Sequence, residues 1–187
     1  MKYLIAGLGN VGEEYSDTRH NVGFNIVDQL AKDKEAGFSL DRLAFITDFR
    51  HKGRQFYLIK PTTFMNLSGK AVKYWVDKLK IPLENLLVVI DEIALPIGTV
   101  RLRAKGSDAG HNGLKSINLA LGSTDYARLR FGIGNDFPKG RQVDHVLGRW
   151  RDEEWKIVEP KIKIAGEMIL SFGILGVART MTDYNNK

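Results

Sequence analysis

A three-layer α/β/α sandwich around a twisted mixed β-sheet is the fold that this chain of 187 residues predicts, and three observations point to it. Apolar, strand-like runs alternate with stretches of helical periodicity along most of the length. One run, Leu86-Leu-Val-Val-Ile90, is apolar at every position, as expected of a strand covered on both faces. A hairpin signal interrupts the alternation and makes the sheet mixed. A single domain over residues 1–187 is expected, long enough to bury a core without disulfides.

The elements follow in order. Lys2 to Leu8 is an apolar run ending in glycines and reads as a buried first strand. Val22, Phe24, Ile26, Val27 and Leu30 suit one helix face, with Asn21 as a candidate N-cap. Leu43 to Phe49 and Phe56 to Ile59, joined across Lys52-Gly53, read as the hairpin. Val72, Trp75, Val76 and Leu79 predict a second amphipathic helix that closes before Pro82. The strand Leu86–Ile90 then delivers Asp91 and Glu92 at its C-terminal end. Val100 to Lys105 alternates, which would set Arg101, Arg103 and Lys105 on one face. A glycine-rich loop from Gly106 to Gly113 opens into the apolar-periodic Leu114 to Leu121. Arg128 to Gly134 reads as the last strand, and the chain from Asp152 as helical with an interruption near Pro160.

There is no cysteine, which excludes disulfide scaffolds, thiolate zinc sites and a cysteine nucleophile, and makes a cytoplasmic location the expectation. The apolar run Tyr3–Ala6 is shorter than the roughly 7–15 residues of a signal-peptide core, and no stretch has membrane-span length. The net charge of +6 is concentrated. Between Ile97 and Arg149 nine Lys/Arg face four Asp/Glu, leaving only +1 for the remainder. Such a stretch reads either as a surface for a polyanion or as a solvated charged face.

Gly7-Leu-Gly9-Asn-Val-Gly12 matches the glycine pattern of a dinucleotide-binding turn. Context argues against that use. The polar segment Glu13–Arg19 separates the glycines from the helix, so no helix N-terminus would face a pyrophosphate, and Glu13 and Glu14 would repel one. A tight turn exposing Asn10 is the preferred reading.

Three asparagines fall at turns: Asn10, Asn66 and Asn112. Each amide offers donors without net charge, suited to a peptide backbone or a developing oxyanion, although asparagine is also an ordinary turn residue. His20 is the candidate general base beside them. Asp91, leaving a buried strand, could orient it. With no serine or cysteine partner, the nucleophile would be water. A metal site from His20, His111 and Asp91 is the competing arrangement, without supporting ligand spacing. His51 and His145 read as surface histidines.

Four motifs in order carry a resemblance: LIAGLGNVGEEYSDTRHNVGF, KPTTFMNLSG, VVIDE with LPIGTVRLR and GHNGLKSI, and RLRFGIG. Together they resemble the bacterial peptidyl-tRNA hydrolase family, from about residue 2 to the helix after Asp152. The resemblance implies an enzyme that cleaves the ester between a peptide and the 3′ end of tRNA, releasing tRNA from stalled or dropped-off peptidyl-tRNA. It implies no cofactor or metal, no obligate protein partner and a monomer. Position by position it makes His20 the base, Asp91 its orienting carboxylate and Asn10 the residue that separates N-blocked from free aminoacyl-tRNA. Tyr15, Phe64, Asn66 and Asn112 become substrate contacts, and Arg101, Arg103 and Arg130 meet phosphates of the acceptor stem. Two departures stand out: Ala94 where a second carboxylate is common, and Asp108-Ala109 before the GHNG run. A non-catalytic RNA-binding module is the alternative, since a fold does not guarantee activity.

Overall fold

The computed structural model describes residues 1–186; Lys187, which the sequence reading includes in the domain, lies outside the described residues. Seven strands form one sheet: β1 (Lys2–Gly7), β2 (Ser39–Asp41), β3 (Ala44–His51), β4 (Arg54–Pro61), β5 (Leu86–Glu92), β6 (Val100–Arg103) and β7 (Ala127–Gly132). Their order is β2-β3-β4-β1-β5-β7-β6. The four central strands run parallel, and the hairpin and β6 add antiparallel edges. The helices are α1 (Val22–Asp33), α2 (Ser68–Leu79), α3 (Asn112–Leu121), α4 (Gln142–Val146), α5 (Asp152–Leu175) and α6 (Val177–Tyr184).

Strand alternation divides the core into two layers. Tyr3, Ile5, Leu87, Val89 and Leu129 face α1 and α5, where Ile26, Leu30, Ile162, Met168 and Phe172 meet them. Leu4, Ala6, Val88 and Ile90 face α2 and α3, against Val72, Trp75, Leu114 and Ile117. All seven residues of β5 are buried, as its uninterrupted apolar run requires. The hairpin turns on Lys52 and Gly53, whose φ values of 47° and 78° match the two-residue turn that follows strand twist.

The glycines after β1 serve packing rather than a nucleotide. Helix α1 begins only at Val22, after two short 3-10 turns. At Gly23 an added Cβ would lie 2.6 Å from the backbone of Leu8 and of Val89, so only glycine lets α1 approach the ends of β1 and β5 so closely. That approach sets His20, three residues earlier, over the C-terminal edge of the sheet, where ligand sites of open α/β sheets gather.

Three local expectations are corrected. Helix α5 runs unbroken through Pro160. The lost hydrogen bond costs about 3 kcal/mol, but Val158, Ile162, Ala165, Met168, Ile169 and Phe172 are buried along one face, and each large apolar side chain contributes about 1.5–3 kcal/mol. The real break is Gly176, at φ 87°. Asn21 does not cap α1 with its side chain, which is engaged with Asn10. Strand β6 stops at Arg103, so Lys105 lies in the following loop. The Asn185 side chain closes that edge by hydrogen bonding both Leu102 N–H and Leu102 C=O at 2.9 Å, which occupies backbone groups an edge strand would otherwise offer. The strand β2 and helix α4 were not foreseen: three exposed residues and five without a buried one leave no apolar pattern.

Candidate active site

Strand β5 carries Asp91 to its C-terminal end, where the residue is 4% exposed. His20 comes from the 3-10 turn Arg19–Asn21, and His111 from the residue before α3. Asp91 binds both: Oδ2 lies 2.8 Å from His20 Nδ1, and Oδ1 lies 2.8 Å from His111 Nε2.

The surrounding hydrogen bonds assign the protons. His111 is the N-cap of α3, and its Nδ1 accepts the N–H groups of Gly113 and Leu114 at 3.1 and 3.3 Å. An accepting nitrogen carries no hydrogen, so the proton of neutral His111 sits on Nε2 and is donated to Asp91. Asp91, as an ionised carboxylate, only accepts, so His20 donates Nδ1–H to it. In the neutral form of His20, Nε2 is then the unprotonated nitrogen, and it has no protein partner among the described residues. Burial alone would raise the Asp91 carboxyl, but His20, and next His111, outweigh it and hold the group well below the usual carboxylate range. Burial also opposes charge on His20, yet the Asp91 charge and its hydrogen bond prevail and raise the imidazole above 6.5.

The ligand atoms of His20, Asp91 and His111 lie within 4.8 Å of one another. A metal does not fit them well. Binding His111 Nε2 would move its proton to Nδ1, where it would point at two backbone N–H groups and uncap α3.

Asn10 is clamped to Asn21, the residue after His20. Its N–H donates to Asn21 Oδ1 at 2.8 Å, Asn21 Nδ2 donates back to Asn10 C=O at 2.9 Å, and Asn10 Oδ1 accepts Met65 N–H at 2.7 Å. The Nδ2 of Asn10 is left without a protein partner among the described residues. Asn66 and Asn112 are exposed, and neither caps a helix. Tyr15 and Phe64 meet edge to face, ring centres 6.3 Å apart, and Phe64 remains 54% exposed. A cavity of about 100 Å³ opens on His20, Asp91, His111 and Asn112, with α4 as its far wall. Asn10 instead borders a neighbouring cavity of about 260 Å³.

The arginines occupy the adjacent sheet edge. In the β6–β7 pairing Arg101 stands opposite Arg130, and Arg103 opposite Arg128. Arg130 is paired through Nε with Glu92 at 3.0 Å, so Glu92 separates it from the His20 cavity. Arg128 is fully buried and bound to the carbonyls of Ser107, Thr124 and Tyr126, a structural use of the charge. At the departures, Ala94 N–H donates to Glu92 Oε2 at 3.2 Å, and Asp108 Oδ1 accepts Gly110 N–H at 2.8 Å, closing its own turn.

Sequence reasoning considered His111 only as a metal ligand and passed over its place between Asp91 and α3; its position in GHNG beside a candidate asparagine was the available signal. His145, read as a surface residue, is instead half-buried, with Nε2 donating to the carbonyls of Ile133 and Gly134 at 3.0 and 3.1 Å.

Fold and site define the class: an α/β sandwich carrying a carboxylate-held imidazole at the C-terminal ends of its parallel strands. A model of the peptidyl-tRNA hydrolase family matches residues 4–187. A peptidyl-tRNA hydrolase of Bacteroides fragilis is 56% identical over 187 residues, 100% of both chains. One of Porphyromonas gingivalis is 55% identical over 185 residues, 99% of this chain and 100% of that one. The crystal structure of peptidyl-tRNA hydrolase from Acinetobacter baumannii matches with a TM-score of 0.93 at 34% identity, over 98% of this chain and 94% of that one. The chain belongs to the peptidyl-tRNA hydrolase family. No helix of the described residues is long and apolar enough to cross a membrane.

Proposed function

We propose that His20 Nε2 takes a proton from water as the water oxygen attacks the ester carbonyl joining a peptide to the 3′ end of tRNA. The attack makes a tetrahedral oxyanion. Its collapse breaks the carbonyl carbon–ribose oxygen bond, the ribose oxygen receives the proton held by His20, and the products are a peptide acid and a tRNA free to return to translation. The observation that carries this reading is the 2.8 Å contact between His20 Nδ1 and Asp91 Oδ2, which leaves Nε2 of the neutral imidazole free to accept a proton.

Each remaining residue takes a part that its chemistry suits. The free amide edges of Asn10, Asn66 and Asn112 supply neutral donors to the oxyanion and the peptide backbone, where a preorganised donor contributes about 3–4 kcal/mol. An N-blocked substrate presents an amide for Asn10 to meet, whereas a free aminoacyl ester presents an ammonium. Tyr15 and Phe64 offer ring faces to the terminal bases. Arg101, Arg103 and Arg130 meet the phosphates of the acceptor stem. The reaction needs no metal or cofactor, because an ester is already activated toward water held next to a base. The protein acts as a monomer in the cytoplasm, with tRNA as its macromolecular partner.

The test is release of N-acetyl-amino acid from N-acetyl-aminoacyl-tRNA with EDTA present and unblocked aminoacyl-tRNA as control. Turnover selective for the blocked substrate is expected. Tight tRNA binding without turnover would replace the enzyme with an RNA-binding module. In the same assay, Arg101→Ala combined with Arg103→Ala should reduce the slope of log affinity against log salt by about 1 to 2 and spare hydrolysis of a minimal ester. Equal losses on both substrates would remove the division between phosphate contacts and chemistry.

A further inference from the structure

The turn that presents His20 also holds the opposite wall of the cavity. That wall is α4, which contributes Gln142, Val143 and Val146. No residue of α4 is buried. A five-residue helix without a buried side chain has little stability of its own, so its tethers decide where it stands.

Arg19 supplies one of those tethers and holds the segment that follows α4. Nη1 donates to the His145 carbonyl at 3.0 Å and Nη2 to Glu154 Oε1 at 2.7 Å. The guanidinium also lies 5.6 Å from the Trp150 ring centre. The Arg19 backbone N–H donates to Gly148 C=O at 2.9 Å, and Thr18 forms a β-bridge with Arg149. The Arg19 side chain is only 10% exposed. Glu154 is a fixed counter-ion, because Oε1 also accepts Arg151 N–H at 2.9 Å at the start of α5. His145 supplies further tethers: Nε2 on the carbonyls of Ile133 and Gly134, and its ring 4.9 Å from the Phe137 ring centre. The fit is close enough that a Cβ on Gly148 would lie 2.6 Å from Arg19 Nη1.

We propose that Arg19 is a positioning residue for the acyl half of the substrate: it fixes α4 so that Val143 and Val146, together with Ile93, form an apolar wall against which the side chains of the peptide pack. The wall selects the peptide over the tRNA, since a phosphate backbone gains nothing from valine side chains. Arginine is required because its planar fork reaches two acceptors and stacks on a ring at once, which a lysine ammonium does not reproduce. The inference rests on the hydrolase reading, which wild-type turnover tests separately.

The experiment compares kcat and KM on two substrates built on one tRNA: N-acetyl-phenylalanyl-tRNA, and the same tRNA with several apolar residues preceding that phenylalanine. Arg19→Lys should raise KM for the longer substrate about tenfold, equivalent to losing about 1.4 kcal/mol of binding, with KM for the shorter one and both kcat values within about twofold. Gly148→Ala, which wedges a methyl against the same guanidinium, should give the same split without removing the charge. Equal changes on both substrates, or a fall in kcat with KM intact, would overturn the proposal and give Arg19 a role in holding His20 alone. Should Arg19→Lys fail to fold, the split in Gly148→Ala decides by itself. Absence of wild-type turnover would sink the hydrolase reading instead.

Discussion

Asp91→Asn is expected to lower kcat by about 10³ while leaving tRNA affinity within about twofold, an effect of the same kind as the wrong-tautomer substitution in a Ser-His-Asp triad, worth about 10⁴. The size follows from where the protons are. His111 Nδ1 is committed to the N–H groups of Gly113 and Leu114, so its Nε2 remains a donor. An asparagine at 91 would therefore turn its carbonyl oxygen to His111 and its NH2 to His20. His20 Nδ1 would then have to accept, its hydrogen would move to Nε2, and the nitrogen proposed to take a proton from water would already hold one. The pH profile separates this from a general loss of structure. In the native site Asp91 raises the His20 pKa above 6.5. With the neutral imidazole as the proposed base, activity should fall as pH drops through a midpoint above that value. Without the carboxylate only burial remains, which lowers the imidazole, so the small residual activity should have its acid limb at lower pH. Unchanged kcat, or an unmoved limb, would mean that Asp91 does not set the state of His20.

The parts of this site that were legible in the sequence have local causes. An all-apolar strand must be buried on both faces, and Asp91 at its end is placed by that fact. The Lys52-Gly53 turn between two apolar runs fixes a hairpin register through backbone conformation alone. His20 stands out because a histidine between Arg19 and Asn21, in a polar turn close to Asn10 in the chain, has no local structural task to explain it. What was not legible depends on contacts far apart in the chain. Arg19 and Glu154 are separated by 135 positions, and nothing local distinguishes a buried, paired arginine from a solvated one. His111 caps a helix with an imidazole where serine, threonine, aspartate or asparagine is the usual choice, so no capping signal announces it. Pro160 misled for the converse reason: the local rule is sound, and a long buried face overrode it.

His111→Asn is the substitution that isolates the second partner of Asp91, and it is expected to lower kcat by about 10- to 100-fold. Asparagine is among the best N-cap residues, so the start of α3 should survive and thermal stability should change little. What is lost is the donor on Asp91 Oδ1, 2.8 Å away in the native site. A hydrogen bond to a charged group contributes about 1.5–3 kcal/mol, which corresponds to that range of rate if the bond is what holds the carboxylate toward His20. The same loss concentrates the negative charge of Asp91 on its remaining partner. His20 should then be raised further, and the acid limb of the pH profile should move up, opposite to its movement in Asp91→Asn. His111→Ala provides the contrast, because it removes the cap as well as the donor and should cost about 1 kcal/mol of stability on top of the same kinetic change. If His111→Asn left both kcat and the acid limb unaltered, His111 would be a helix cap that happens to touch Asp91, and the orientation of His20 would rest on Asp91 alone.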